Sequence, residues 1–373
     1  MWTPAALAEG DVVMHKYSKS EAHLRALSLL VFCPERSAEA VRHVAALDQE
    51  ERAEFLRLAE IHHVVIRALQ PFKREAEAIG RAELASFAQA ALIEEQQRID
   101  KALQALEGIC VELEAAGCPV AVLKTLDHWP DFGNDLDLVT MADERLIENV
   151  FLKKLNGRRL RRSVGDRLAH KRGFELEGLR ETVEVHIGRL GQAGEHTGLA
   201  RRFVERRVPA KFSGKTFLMP APEERIIEGT LERMYRHLFF RLCDIYDTAR
   251  IAECGSLDYK ELRAAADLGG IWPGVATYLR ITSEYLREYR GTGLDLPKEV
   301  LAAASFGADK IIVRSKYLWV PIFPQSFALF ARQFAKLIRS GNVPATARLS
   351  LLPPLASVVA LTYAVGVNSE RIW

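Results

Sequence analysis

Between about Ser20 and Gly117, apolar residues return every three or four positions with polar residues between them. SEAHLRALSLLVF, SAEAVRHVAAL, QEERAEFLRLAEIHHVVIRALQPF and ELASFAQAALIEEQQRIDKALQALEGICVELEAAG each show this spacing, so consecutive helices are expected. Ser37 and Asp48 suit N-caps, since a short oxygen-bearing side chain can accept from the free N–H groups of a first turn. Gly117 suits a helix end, where left-handed backbone is cheapest for glycine. His62 and His63 are adjacent on such a helix and must diverge, one to the core and one to the surface. No internal repeat is visible.

After Gly117 the period shortens. PVAVLK is a brief continuous apolar run, as in a buried strand. TLDHWPDFGN, with Pro and Gly, is a loop, and DLDLVT is the next strand. ADERLIENVFLKKLNG reads as a helix closed by glycine. RLAHKRGFELEG and ETVEVHIGRL alternate as a pair of antiparallel strands with Gly178 in their turn, and KFSGKTFLMP is a further short strand. From Pro222 the helical period resumes in PEERIIEGTLERMYRHLFFRLCDIYDTARIAE, LDYKELRAAADLG and TYLRITSEYLREYR. The pattern predicts an α+β protein: a helical region over 1–108, a small mixed sheet over 109–220, and a second helical region over 221–373.

Two strands carry unusual charges. In GNDLDLVT, Asp135 and Asp137 point to one face and Leu136 and Leu138 to the other. Like charges on a half-buried strand repel, and burying them unpaired is costly. A divalent cation between them removes the conflict, and hard oxygen ligands suit Mg²⁺. The plainer reading is a polar strand edge with two solvated aspartates. In VEVHIG, Glu184 lies between valines and shares a face with His186. It calls for a metal or a salt bridge to a nearby arginine. Two aspartates and a third acid on a neighbouring strand can hold divalent ions against a nucleoside triphosphate.

The ordered set VLK, loop, GNDLDLV, helix, VEVH resembles the nucleotidyltransferase superfamily of the polymerase-beta type, and more narrowly its uncharacterised bacterial branch. The similarity runs from about Glu51 to Glu253. It implies metal-ligand and catalytic roles for Asp135, Asp137 and Glu184, with Mg²⁺ or Mn²⁺ as cofactor and a nucleoside triphosphate such as ATP as substrate. It places Lys124 near the triphosphate, together with Thr125, Gly133, Asn134 and His186. It assigns Arg236, His237 and Asp244 or Asp247 on a later helix to the nucleotide or acceptor side. The chain departs from the family in two ways: Thr125 stands where it has glycine, and Gly133 and Asn134 stand where many relatives have an arginine before the Asp pair. For the residues alone, bland readings stay open. Lys124 suits a solvated strand end, His186 a packed core histidine, and Asp244 and Asp247, three apart on one helical face, a cap or salt bridges.

Composition changes the picture little. With 373 residues, 49% of them hydrophobic and 27% charged, the chain has an ordinary globular make-up. Its net charge of +2 argues against a general polyanion-binding role, although from Lys153 to Lys215 basic residues outnumber acidic ones by about ten. Five scattered cysteines without a CxxC pair argue against a disulfide framework and a structural zinc site, and fit a cytoplasmic protein. MWTPAALAEGDVV has no signal-peptide pattern. SLLPPLASVVALTYAVGV is apolar but broken by two prolines, so a buried helix is expected there rather than a span, with peripheral membrane contact through the C-terminus as the other reading. The expected function is transfer of a nucleotidyl group from a triphosphate to an unknown acceptor: a small molecule, RNA or protein. The alternatives are a nucleotide-binding regulatory module of the same fold that has lost turnover, and a helical or membrane-peripheral scaffold.

Overall fold

The computed structural model describes residues 19–314 and 316–353. Five helices come first: α1 (Lys19–Phe32), α2 (Ser37–Ala45), α3 (Gln49–Ile61), α4 (Val65–Ala78) and α5 (Ala82–Ala115). Asp48 starts α3 with a reciprocal box, accepting from the Glu51 N–H while the Glu51 carboxylate accepts from its own. Ser37 does not cap. It is the first residue of α2, and its hydroxyl donates to Glu75. Gly117 sits just beyond α5 at φ +77°, where the Cys118 N–H reaches back to the Leu113 carbonyl. The run expected as one helix through His62 and His63 breaks there. His63 has a left-handed φ of 50°, so both histidines lie in a turn and both are buried, His63 included.

The sheet follows: β1 (Val120–Val122), β2 (Asp135–Thr140), α6 (Glu144–Asn149) widening into a π turn through Lys154, β3 (Arg158–Arg159), α7 (Val164–Ala169), β4 (Lys171–Glu175) and β5 (Thr182–Ile187). Strand order is β1-β2-β5-β4-β3, with β2 and β5 parallel and the other pairs antiparallel. The fold is α+β with a mixed sheet. The first three residues of RLAHKRGFELEG, Arg167–Ala169, are helical instead of extended, because Ser163 and Asp166 cap α7 and His170 turns left-handed before β4. After α8 (Thr197–Glu205), KFSGKTFLMP contributes to a hairpin, β6 (Arg207–Phe212) and β7 (Lys215–Pro220). Ser213 and Gly214, both at positive φ, form its two-residue turn.

In the C-terminal part, α9 (Pro222–Thr230) runs into a π turn over Leu231–Arg236, and β8 (Phe239–Phe240) separates it from α10 (Leu242–Glu253). Then come α11 (Tyr259–Gly269), α12 (Trp272–Arg290), α13 (Lys298–Ala303), β9 (Ile312–Arg314), β10 (Tyr317–Trp319), α14 (Phe327–Arg339) and α15 (Val343–Leu349). β8, β10 and β9 form a second small sheet. Strands of two or three residues have no readable period, which is why the pattern concealed them. Among the described residues no helix is long and apolar enough to cross a membrane. MWTPAALAEGDVV and most of the apolar stretch after Ser350 lie outside the described residues.

Two apolar cores meet at the main sheet. One joins Leu27, Leu30, Leu69 and Phe72 of the N-terminal helices to Leu242, Ile245, Leu279 and Leu286 of the C-terminal ones, so both helical segments share a single core. The other packs Ile99, Leu103, Leu106, Ile109 and Leu113 of α5 against Val122, Leu136, Leu138, Val183 and Val185 of the sheet. The loop between β1 and β2 is fastened to the helical body by Asp131. Its fully buried carboxylate accepts from the N–H groups of Ile66 (2.6 Å) and Arg67 (3.3 Å) at the start of α4, and faces the Arg67 guanidinium at 3.7 Å. Asp131→Ala is expected to cost about 2–4 kcal/mol, because it leaves the buried N–H groups of Ile66 and Arg67 without their acceptor, while Arg67 keeps Asp247. Urea unfolding measures it, and a loss under about 1 kcal/mol would remove Asp131 from this fastening role.

Candidate active site

Alternation in β2 separates its side chains. Leu136 and Leu138 enter the sheet core, which forces Asp135 and Asp137 to the opposite face. Parallel pairing sets Asp135 opposite Thr182, Asp137 opposite Glu184 and Val139 opposite His186. Residues paired across neighbouring strands share a face, so the acids of both motifs and His186 lie on the same side of the sheet. Asp137 is 2% exposed and His186 6%, whereas Asp135 is at the exposed rim, where the Thr182 hydroxyl donates to it. β4 adds a residue that the motifs did not indicate. Lys171, in register with His186, is buried and ion-paired with Glu184, taking the place expected for an arginine.

Lys124 follows β1 by two residues and turns back toward Asp137. Its ammonium lies 3.4 Å from Asp137 Oδ2 and 3.6 Å from Glu232 Oε2, and its own N–H donates to Glu228 Oε2 at 3.4 Å. Thr125, where a glycine was expected, fixes the start of β2. Its hydroxyl donates to the Asp135 carbonyl (3.2 Å) and accepts from the Asp137 N–H (2.9 Å). The donor is therefore engaged with the strand and not offered to a phosphate. Gly133 and Asn134 line the cleft above, and the Gly133 carbonyl is held by Arg98 at 3.1 Å.

The facing wall comes from α9 and its π turn, a wider helical form frequent at functional sites. Glu228, Glu232 and Arg236 recur every four residues on one face, and Arg233, His237 and Arg241 extend the wall. Arg236 pairs with Glu232 at 2.8 Å and His237 lies 3.0 Å from it. His63 and His128 close the remaining side as stacked rings 5.4 Å apart, and Arg241 donates to His63 at 2.7 Å. The cleft holds about 660 Å³ of empty space, part of it open to solvent. A second hollow of about 720 Å³ adjoins it and shares His63 and Asn134.

Asp244 and Asp247 do not enter this cleft. They share a helical face, but that face is turned toward buried cations. Asp244 accepts from the Arg241 N–H and pairs with Arg233 at 2.8 Å, while Asp247 takes Arg67 at 2.8 Å and His128 at 2.6 Å. They hold wall residues from behind. The residues missed by sequence reasoning are Lys171, Glu228, Glu232, Arg233, Arg241, His63 and His128. A signal existed for part of the wall: the spacing E-x-x-x-E-x-x-x-R puts three charges on one stripe of a helix.

Charge is arranged in opposition. Burial works against the ionised form of Asp137, but Lys124, His186 and Lys171 outweigh it and hold its carboxyl well below the usual range. Asp135, although its side chain reaches the rim, is pushed upward by loss of hydration beside the surrounding protein and by the charges of Asp137 and Glu184. Lys124 is raised, because Asp137, Glu232 and Glu228 more than offset its burial. The basic excess of 153–215 is largely cancelled in space. Arg158, Arg159, Arg172, Arg202, Arg206 and Arg207 pair with glutamates, most of them from other parts of the chain.

Burial, with Asp137 and Glu232 adding and Lys124 opposing, pushes Glu228 up to about 8. A carboxyl raised on folding favours the folded state below its unfolded value, and that contribution is lost as pH climbs through the folded value. Glu228→Gln removes the titration. Its Tm relative to the parent protein is expected to be more favourable at pH 9 than at pH 6. A Tm difference that stays flat between these two pH values would show that Glu228 is ionised throughout.

No family model matches the chain, and no curated protein matches it. A solved structure of an antigenic nucleotidyltransferase-like protein from Paracoccidioides brasiliensis is similar at 17% identity and a TM-score of 0.29, over 43% of this chain and 84% of that one. A likeness at that level says nothing about the chemistry of the cleft.

Proposed function

We propose that the cleft transfers a nucleotidyl group from a nucleoside triphosphate to a hydroxyl or phosphate oxygen of an acceptor, with Mg²⁺ or Mn²⁺ held by Asp135, Asp137 and Glu184. The supporting observation is the register that sets Asp137 directly opposite Glu184, with Asp135 on the same face, at the mouth of a cleft walled by Lys124, Arg233, Arg236 and Arg241. The donor set fits a hard or borderline cation. Three carboxylates face one opening, and Asp137 Oδ1 is buried without a hydrogen-bond partner among the described residues. When bound, such an ion lowers the pKa of the attacking oxygen and neutralises charge that develops on the phosphates.

The chain's own residues bind and orient. Lys124 and the wall arginines place fixed positive charge where a triphosphate would lie, which is the preorganised electrostatics that phosphoryl chemistry needs. A bond forms between the acceptor oxygen and the α-phosphorus, the bond from that phosphorus to the α–β bridging oxygen breaks, and pyrophosphate leaves. The adjoining hollow beside His63 and Asn134 offers the acceptor its approach.

One observation favours the alternative of nucleotide binding without turnover. Lys124 and Lys171 already compensate Asp137 and Glu184, and the Thr125 donor is spent on β2. The two readings separate in one experiment. Wild type should bind Mg-nucleotide by calorimetry and release pyrophosphate with members of an acceptor panel. Asp137→Asn should lower that release by about 100-fold or more while leaving the circular dichroism unchanged. Binding that survives Asp137→Asn, with no release from either protein, favours the binding module. Absence of Mg-nucleotide binding by the folded wild type removes both.

A further inference from the structure

Resting on the reading of this cleft as cation-dependent, we infer that His186 is itself a ligand. The inner cation site is then Asp137, Glu184 and His186, with a preference for a borderline cation such as Mn²⁺ over Mg²⁺. Both ring nitrogens of His186 lack a hydrogen-bond partner among the described residues, and so does Asp137 Oδ1 beside them. These side chains are 6% and 2% exposed. Buried polar atoms in folded proteins are nearly always hydrogen-bonded, so two orphans that face each other, His186 Nε2 and Asp137 Oδ1, need an explanation. His62, just as deeply buried, uses both of its nitrogens, on the Lys316 carbonyl at 2.7 Å and the Leu242 N–H at 2.9 Å. Buried His23 keeps one nitrogen bonded, to His43, and among the described residues only His186 has both ring nitrogens buried and unpartnered.

Geometry points to what the orphans face. His186 Nε2 and Asp137 Oδ1 are 3.7 Å apart, too long for a hydrogen bond. Two ligand atoms on one ion, each at about 2.1 Å, stand roughly 3.0–3.4 Å apart, so a small closure brings them onto a shared cation. One ligand atom each from Asp137, Glu184 and His186 lies within 4.8 Å of the other two. Asp135 is not in this set. It begins its strand at the rim and already accepts from Thr182. Lys171 engages Glu184 Oε2 and Lys124 engages Asp137 Oδ2, so the pair of acids tolerates burial before an ion arrives. An imidazole nitrogen among the donors disfavours Mg²⁺, which prefers an all-oxygen shell, and suits Mn²⁺ and its later first-row neighbours.

The test reads the ion and not turnover. Mn²⁺ is titrated into the full chain, with and without a non-hydrolysable triphosphate analogue, and bound ion is followed by electron paramagnetic resonance. Pulsed measurements detect nitrogen bonded directly to Mn²⁺. Wild type is expected to show that nitrogen signature and to bind Mn²⁺ at least about tenfold more tightly than Mg²⁺. His186→Ala and His186→Gln should lose the signature and at least about tenfold in Mn²⁺ affinity, and Asp135→Asn should keep the signature. The wild-type spectrum stands alone if a variant misfolds. Bound Mn²⁺ without a nitrogen signature, lost in Asp137→Asn but unchanged in His186→Ala, overturns the role of His186 and leaves the nucleotidyl-transfer reading intact. Folded protein that binds no Mn²⁺ with or without the analogue overturns both.

Discussion

The parallel register between β2 and β5 is the constraint on which the site depends. Leu136, Leu138, Val183 and Val185 must lie on the α5 side of the sheet, and that requirement drives Asp137 and Glu184 together on the other. A slip of one residue would carry Asp137 into the apolar core and two leucines into the cleft. The hydrophobic effect thus holds carboxylates at a spacing that their mutual repulsion would otherwise oppose.

Around that pair the protein spends positive charge in layers. Lys124 and Lys171 compensate the acids directly. Arg233 and Arg236 come from the opposite wall, and Asp244 anchors Arg233 from the rear. Arg67 joins α4, α10 and the β1–β2 loop through Asp131 and Asp247, with His128 as the last member reaching the cleft. The wall is therefore backed by buried ion pairs, while Asp137 in front keeps one oxygen without a hydrogen bond among the described residues. Removing one member of such a network costs more than its pair is worth, since the remaining charge has no water to turn to.

Much of the candidate site was legible because strand alternation is a local rule. DLDLVT and VEVHIG announce which residues share a face, and Asp135, Asp137, Glu184 and His186 do share one. Lys124 was legible by its place after an apolar strand. Lys171 was not, since its meaning comes only from pairing with β5. Asp244 and Asp247 carried a helical spacing that says they share a face, but spacing cannot say which way the face turns. The charge-rich run from Lys153 to Lys215 looked like a basic surface in one dimension, and in three it meets Glu114, Glu144, Glu148, Glu223 and Glu224.

By itself the sequence determined the α+β class, the main helices, the order of the acid-bearing strands and the side each acid takes, because these follow from periods of two and near four along a single segment. Tertiary structure alone decided that the two helical ends share one core, that α9 supplies the facing wall, and which carboxylates keep a free oxygen. Those outcomes depend on contacts between separate segments of the chain. No local period encodes them, since the free energy of such a contact belongs to both partners and to the water they jointly exclude.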